Sequence, residues 1–179
     1  MKRISVFPII IAGIVLVFGT LSAAAQQANS RINGLGLSGD EPIQIESDRL
    51  DIDDGSSSAV FNGNVNVVQG DTVLQSGKMI VYYGGGGSVT AGATDIEKIE
   101  VSGSVVLQSG DQTATADQGL FNMVAQTLVL TGKKVVLSQG DNILVGCKLT
   151  VKMQTGDARI DSCKNERVIF QIDPKSAKQ

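Results

Sequence analysis

Between residues 42 and 172 the chain alternates apolar and polar positions in short runs, and Gly, Asp, Asn and Ser separate these runs. Strict alternation is typical of strands that bury one face, and such small polar residues favour tight turns between strands. Apolar residues at helical spacing are almost absent from this stretch. The pattern therefore predicts one all-β domain of many antiparallel strands over residues 42–172.

An internal repeat makes this prediction more specific. The first half of the repeat reads apolar-x-Gly-x-apolar-x-apolar-x-x-Gly-Asp and occurs at 61–71, 101–111 and 130–141. The third copy has one extra residue between its glycines, which predicts a β-bulge near Lys133 and Lys134. Each Gly-Asp pair predicts a tight corner between two strands.

The second half of the repeat predicts a kink in the strand that follows each corner. It has a small residue at its third position and then slips by one residue before the next apolar side chain. The slip keeps one face apolar on both sides of the kink. Two facing layers of such strands, in a sandwich or barrel, would bury these faces and leave open edges at the first and last strands. The alternative is that the flanking segments cover both edges.

The N-terminus has the three-part layout of a secretory signal. Lys2 and Arg3 precede an apolar run over 4–21, and the small residues 22–25 follow that run. We expect residues 1–25 to be a signal peptide that is cleaved on export. The apolar run also approaches the roughly 20 residues that span a bilayer, so an uncleaved membrane anchor is the alternative.

The segments that flank the predicted domain are polar. Residues 26–41 are Gly-rich and without periodicity, which predicts a flexible leader, and residues 173–179 form a polar tail.

After removal of the predicted signal peptide, which contains Lys2 and Arg3, 13 of the 15 basic residues remain against 18 acidic ones. This acidic balance, without a basic cluster, argues against nucleic acid as a partner.

The chain offers little catalytic chemistry. It has no His, which removes His-based triads and His metal sites, and its two Cys are sixteen residues apart, which fits no zinc spacing. We therefore predict no catalytic residue, no metal site and no cofactor. The protein is expected not to be an enzyme.

The two cysteines flank a turn sequence at 154–157. A hairpin centred on Thr155 would place Cys147 and Cys163 opposite each other, and an exported protein meets conditions that maintain disulfides. A bond is expected if the two residues form a non-hydrogen-bonded pair, where the Cα atoms approach most closely. Two reduced cysteines one register step apart are the alternative, because the sequence does not fix the register of a hairpin.

Six short motifs occur in order along the domain. They are Pro42-Ile43-Gln44-Ile45-Glu46-Ser47-Asp48-Arg49-Leu50, Ala59-Val60-Phe61-Asn62-Gly63-Asn64-Val65, Gln69-Gly70-Asp71, Lys78-Met79-Ile80-Val81-Tyr82-Tyr83, Val129-Leu130-Thr131-Gly132 and Gly146-Cys147-Lys148-Leu149-Thr150. The ordered series resembles the OstA-like family of lipopolysaccharide-transport proteins. The resemblance covers about residues 42–170, which is nearly the whole predicted domain.

Membership of this family would imply an OstA-like β-jelly roll, built from repeated antiparallel strands, with an open apolar interior. It would imply a periplasmic carrier that moves lipopolysaccharide from the inner to the outer membrane with the acyl chains of lipid A shielded in that interior. It would also imply edge-strand pairing, head to tail, with copies of itself and with LptC-like and LptD-like proteins. Because an acyl chain costs about 0.8 kcal/mol per CH₂ to leave in water, a continuous apolar groove suits such transport.

The side chains expected to face the groove and contact lipid are apolar and point inward in the predicted strands. They are Ile45, Phe61, Val65, Leu74, Met79, Phe121 and Leu144. Alternation alone does not separate a lipid groove from a packed core. Two other functions therefore stay open: a membrane-anchored LptC-like subunit that keeps residues 4–21 as a helix, and a structural β-solenoid that binds no lipid.

Overall fold

The computed structural model describes residues 35–37, 41–84 and 95–174. All the regular secondary structure in these ranges is β-strand. The strands are β1 (Gln44–Glu46), β2 (Arg49–Asp53), β3 (Ser58–Gln69), β4 (Thr72–Tyr83), β5 (Ile96–Ser109), β6 (Gln112–Asn122), β7 (Thr127–Gln139), β8 (Asn142–Lys152), β9 (Ala158–Asp161) and β10 (Ile169–Gln171). The predicted all-β fold class is therefore confirmed. The expected signal peptide or anchor, residues 1–25, lies outside the described residues.

A search of the described ranges finds no helix of the length and apolarity that crossing a membrane requires.

All ten strands belong to one antiparallel sheet. Strands β3 to β8 pair in chain order, each with the next. At one end of the sheet both β1 and β2 pair with β3, and at the other end both β9 and β10 pair with β8. The sheet therefore has two edges, and each edge consists of two short strands.

The long strands are kinked along a common line, where the register of the pairing shifts. In β3 two residues, 63–64, lie opposite the single Gly77 of β4. In β7 three residues, 132–134, lie opposite the single Cys147 of β8. Both the predicted kinks and the predicted bulge at the extra residue are confirmed.

The kink line divides the sheet into two halves. The inward-facing side chains of both halves belong to one hydrophobic cluster. We call one the corner half, because its strand segments meet at the Gly-Asp corners. It consists of β1, 65–69, 72–76, 105–109, 112–116, 135–139, 142–146 and β10. The other is the hairpin half. It consists of β2, 58–62, 78–83, 96–102, 118–122, 127–131, 148–152 and β9.

The corners between strands form as predicted. Gly70, Gly110 and Gly140 each begin a two-residue turn and have φ values of 54°, 56° and 55°. Residues with a Cβ rarely adopt this left-handed region, which explains why glycine stands at each corner.

The inward side chains line up in rows across the sheet, from one edge to the other. The corner row consists of Ile45, Val67, Leu74, Leu107, Ala114, Leu137, Leu144 and Phe170. The inner hairpin row consists of Leu50, Phe61, Met79, Val101, Gly119, Leu130, Leu149 and Ile160. The outer hairpin row consists of Ile52, Ala59, Val81, Ile99, Phe121, Leu128, Val151 and Ala158. The middle of each row is buried, and the ends at the sheet edges are exposed to differing degrees.

Part of the segment predicted as a flexible leader packs against the domain. Leu35 and Leu37 are only 2% and 3% exposed and belong to the hydrophobic cluster. Between them, Gly36 lies so close to Met153 that a Cβ would come within 2.6 Å of its sulfur. For residues 35–37 the prediction of a flexible polar leader is therefore wrong, because burying a leucine side chain stabilises its position by about 1.5–3 kcal/mol.

Cys147 and Cys163 are joined by a disulfide, with their Cα atoms 5.0 Å apart. The pairing of β8 with β9 ends at Lys148 opposite Asp161, so the next step of the register would place Ser162 opposite Cys147. The expected hairpin centred on Thr155 is therefore wrong by one register position. Cys163 can bond because it lies beyond the end of β9, where the ladder no longer fixes its position.

The apolar interior as the candidate functional site

The side chains predicted to face the groove all belong to the interior, at two depths. Five are buried among other core residues: Phe61, Val65, Leu74, Met79 and Phe121. The other two, Ile45 and Leu144, are partly buried and pack against the cluster near opposite edges of the sheet. The structure thus brings the seven residues into one interior, where most of them lie in close packing.

A cavity of about 470 Å³ lies at the β8–β10 end of the corner half. Its volume falls within the roughly 300–1,000 Å³ of typical small-molecule sites. Among its lining residues are Gln112, Leu137, Asn142, Leu144, Phe170 and Ile172. Of the predicted groove residues, Leu144 lines this cavity.

Phe170 and Ile172 were not among the predicted site residues. Each is 61% exposed, and both line the cavity beside Leu144. A partial signal was present in the sequence, because the domain ends in the apolar run 168–170, with a further apolar residue at 172. A short apolar run rich in β-branched and aromatic residues favours a strand, but it does not show which face of that strand points inward.

The opposite edge of the sheet also exposes inward-facing apolar side chains. Leu50 and Ile52 on β2 are 46% and 40% exposed, and Ile43 and Ile45 are partly buried. These side chains begin the apolar rows, and no further strand covers them in the described part of the chain. In the residues that the structure describes, the interior is therefore unsealed at both ends.

A line of polar side chains borders the interior at the Gly-Asp corners. Gln69, Thr72, Ser109 and Gln112 are all buried, and the hydroxyl oxygens of Thr72 and Ser109 lie 3.1 Å apart. The Oε1 atom of Gln112 is buried without a hydrogen-bond partner among the described residues. A buried acceptor without a donor costs about 1–3 kcal/mol, so this atom favours any ligand that brings a donor.

No charged side chain is buried in the described ranges. In the hairpin half, at the end of β4, the phenol of Tyr83 is buried and donates a hydrogen bond of 3.0 Å to Asp54 Oδ1. Burial, and then this bond to Asp54, raise the pKa of Tyr83 above its ordinary value. On the outer face, Lys98 Nζ lies 2.8 Å from Glu100 Oε1 and over the ring of Tyr82. The interior can therefore accept an uncharged apolar ligand.

A comparison with protein-family models finds one match, described as "LptA/(LptD N-terminal domain) LPS transport protein", over residues 44–157. The chain belongs to this family. It is therefore an LptA-like component of lipopolysaccharide (LPS) transport, and not an enzyme.

Two curated proteins are similar to this LptA-like chain, and the second is named for lipopolysaccharide export. An uncharacterised protein of Rhizobium meliloti (strain 1021) is 57% identical over 158 residues, which make up 88% of this chain and 84% of that protein. The "Lipopolysaccharide export system protein LptA" of Escherichia coli (strain K12) is 27% identical over 135 residues, which make up 75% of this chain and 72% of that protein.

A solved structure shares the fold. The crystal structure of LptH, the LptA-homologous periplasmic component of the lipopolysaccharide transport device of Pseudomonas aeruginosa, superposes with a TM-score of 0.65 at 18% identity. The match covers 76% of this LptA-like chain and 98% of LptH. The predicted OstA-like β-jelly roll is thereby confirmed.

Proposed function

We propose that this LptA-like chain is a periplasmic carrier that moves LPS from the inner to the outer membrane and shields the acyl chains of lipid A between its two halves. The observation that carries the proposal is that each apolar row runs without a charged side chain from one edge of the sheet to the other. An acyl chain in transit needs such a path, because each exposed CH₂ costs about 0.8 kcal/mol in water. Family membership and the periplasmic location of LptH support it.

Lipid would reach the buried middle of the rows when the two halves part. Every backbone pairing between the described strands lies within one half, so the halves are connected through the kinked strands and through side-chain packing. Parting the halves therefore breaks apolar contacts but no ladder hydrogen bonds. The acyl chains replace the lost contacts, which keeps the net cost of opening low.

The cavity beside Leu144 is the proposed docking place of the first acyl chain. Leu144 and Phe170 offer apolar contacts there, and the unpartnered Oε1 of Gln112 offers one hydrogen-bond acceptor. A hydroxyl or amide N–H on an acyl chain would satisfy that acceptor. The cavity thus suits an acyl chain that carries a neutral donor near its apolar part.

The two edges of the sheet would connect the carrier to its partners. Within the described residues, no further strand pairs with the edge of β1 and β2 or with the edge of β9 and β10, and both edges carry exposed apolar side chains. Strand addition at such edges extends a sheet across a protein boundary. We propose head-to-tail pairing with copies of the chain, and with LptC-like and LptD-like proteins at the ends of the bridge.

Photocrosslinking to LPS in cells tests the lipid path. A photoreactive residue replaces Leu144 in the open cavity, Phe61 or Phe121 in the buried rows, or the exposed Asn64 as the matched control. We expect LPS adducts at Leu144 and at Phe61 or Phe121, and none at Asn64. Leu144 is included because a bulky probe fits there without disturbing the core.

Two results would count against the proposal. Adducts at Asn64 as abundant as those at Leu144 would place LPS on the outer surface. Absence of adducts at every inward position, with the variants folded by circular dichroism, would favour the structural β-solenoid that binds no lipid.

A further inference from the structure

The two edges of the hairpin half carry the same pattern of three residues. On β2 it is Arg49-Leu50-Asp51, and on β9 it is Arg159-Ile160-Asp161. The aliphatic residue in the middle points inward and ends the inner hairpin row, so the Arg and Asp point outward. Each Arg pairs within its own strand, Arg49 with Asp51 at 2.7 Å and Arg159 with Asp161 at 2.9 Å.

The directions of the edge strands allow one copy of the sheet to continue into the next. Five antiparallel pairings separate β3 from β8, so these two strands run in opposite directions. Because β2 is antiparallel to β3 and β9 is antiparallel to β8, β2 and β9 also run in opposite directions. The same holds for β1 and β10. A second copy stacked by simple translation would therefore present antiparallel strands in both halves.

We propose that a second copy of this chain pairs its β2 with β9 in the register that places Leu50 opposite Ile160. Arg159 then faces Asp51 of the second copy, and Asp161 faces Arg49 of the second copy. The four side chains form a square in which every neighbour has the opposite charge. This inference rests on the head-to-tail association of the proposed function and specifies its register and the residues that select it.

The charges select this register over its neighbours. Any other register of β2 against β9 must differ by two residues, because a shift by one would turn the apolar side chains of one strand outward. One such shift places Asp161 opposite Asp51, and the other places Arg159 opposite Arg49. Like charges directly opposite each other across a strand pair are destabilising, and opposite charges are stabilising. In the proposed register Asp157, beyond the end of β9, comes opposite Asp53, but Lys152 lies 4.0 Å from Asp157 and offsets its charge.

The apolar rows support the same register. In the inner hairpin row Ile160 follows Leu149, and Leu50 of the second copy would continue that row. In the corner half the same stacking brings Phe170, which is 61% exposed, opposite Ile45 of the second copy. One translation thus pairs the charges on the outer face and covers exposed apolar side chains on the inner face.

The disulfide prepares the β9 edge for pairing. Cys163 comes two residues after Asp161 and is bonded to Cys147, which lies in β8. The bond ties the end of the four-residue strand β9 to the sheet before a second copy arrives. Ordering an edge in advance reduces the entropy lost on association.

Charge reversal, followed by sedimentation equilibrium of the protein produced from its full sequence, tests the proposal. Asp51→Arg or Arg159→Asp alone places like charges across the junction, and each should weaken self-association by about tenfold. The double variant Asp51→Arg/Arg159→Asp restores opposite charges and should associate at least as tightly as the wild type. Glu100→Lys is the matched control, because it makes the same change in charge as Asp51→Arg on the same face but away from both edges. It should change association by less than about twofold.

The outcomes separate this inference from the proposed function. If Asp51→Arg tightened association, the register would be shifted by two, since Asp51 would then face Asp161. A wild type that stays monomeric at millimolar concentration, or a double variant no tighter than the singles, would also overturn the inference. If Arg159→Asp does not fold, Arg159→Gln replaces it in the test. This variant only removes the charge and should also weaken self-association. LPS crosslinking at Leu144 in each variant reports separately on the lipid path, because that site lies within one copy.

Discussion

At the scale of single residues, Gly119 shows how the interior is filled. It lies in the inner hairpin row between Val101 and Leu130, where every other member of the row has an apolar side chain that points inward. The structure explains the exception: a Cβ at Gly119 would lie 2.8 Å from Val101 Cγ2 and 2.9 Å from Leu130 Cδ2. Neighbouring side chains already occupy the space that a side chain at this position would need.

Adding a methyl group at this position should destabilise the protein. We expect Gly119→Ala to lower the free energy of unfolding by about 1–3 kcal/mol, because overpacking forces neighbouring side chains out of their preferred rotamers. In the Val101→Ala background, which removes the nearest methyl group, the same substitution should cost less. Denaturant unfolding of the four proteins in this cycle measures both effects. An equal cost in both backgrounds would contradict the steric explanation.

Individual residues also mark how far the sequence predicts the site. The inward orientation of Phe61, Met79 and Phe121 follows from alternation, which the rows confirm. The burial of Leu35 could not be predicted, because it depends on a contact between segments far apart in the sequence. Local pattern determines which face a side chain occupies, and tertiary packing determines what lies against it.

At the scale of elements, the kinks and corners were predictable because they are local. A slip in the apolar pattern determines a kink, and a Gly-Asp pair determines a corner, so both could be located from the repeat. The hairpin of β8 and β9 was not, since its register depends on the conformation of the turn at 153–157. The cavity at Phe170 and Ile172 was not predictable for a similar reason. It forms where β10 pairs with β8, and a connection that contains β9 separates these two strands in the sequence.

The disulfide should determine the stability of the β9 edge. Cys163→Ser should lower the free energy of unfolding by about 2–4 kcal/mol, as expected for a closed loop of this length. Amide hydrogens of β9 should exchange faster, because a four-residue edge strand has few contacts of its own, while those of the central strand β5 should lose less protection.

Hydrogen exchange followed by mass spectrometry measures this difference between the strands. Ser162→Ala is the matched control and should leave the exchange of β9 unchanged. If Cys163→Ser affected β5 and β9 equally, the bond would stabilise the domain as a whole and would not act on the edge.

At the scale of the whole molecule, the sheet is folded along its kink line and its two halves are not joined by backbone pairing in the described strands. The apolar rows end in exposed side chains at both edges, with Leu50 and Ile52 at one and Phe170 at the other. A closed barrel would seal such rows, and an open sheet that stacks on copies of itself would prolong them. The architecture therefore suits a conduit that several proteins form together.

Competition binding tests most directly the central claim that the interior binds the acyl chains. Purified protein is saturated with a fluorescent LPS probe, and unlabelled LPS or LPS with its acyl chains removed is added as competitor. The account predicts that intact LPS displaces the probe, and that deacylated LPS, which keeps the sugars and phosphates, requires at least about a hundredfold higher concentration, since each lost CH₂ removes about 0.8 kcal/mol of burial. Equal competition by the two forms would show that the protein recognises the polar part of LPS and would contradict the account.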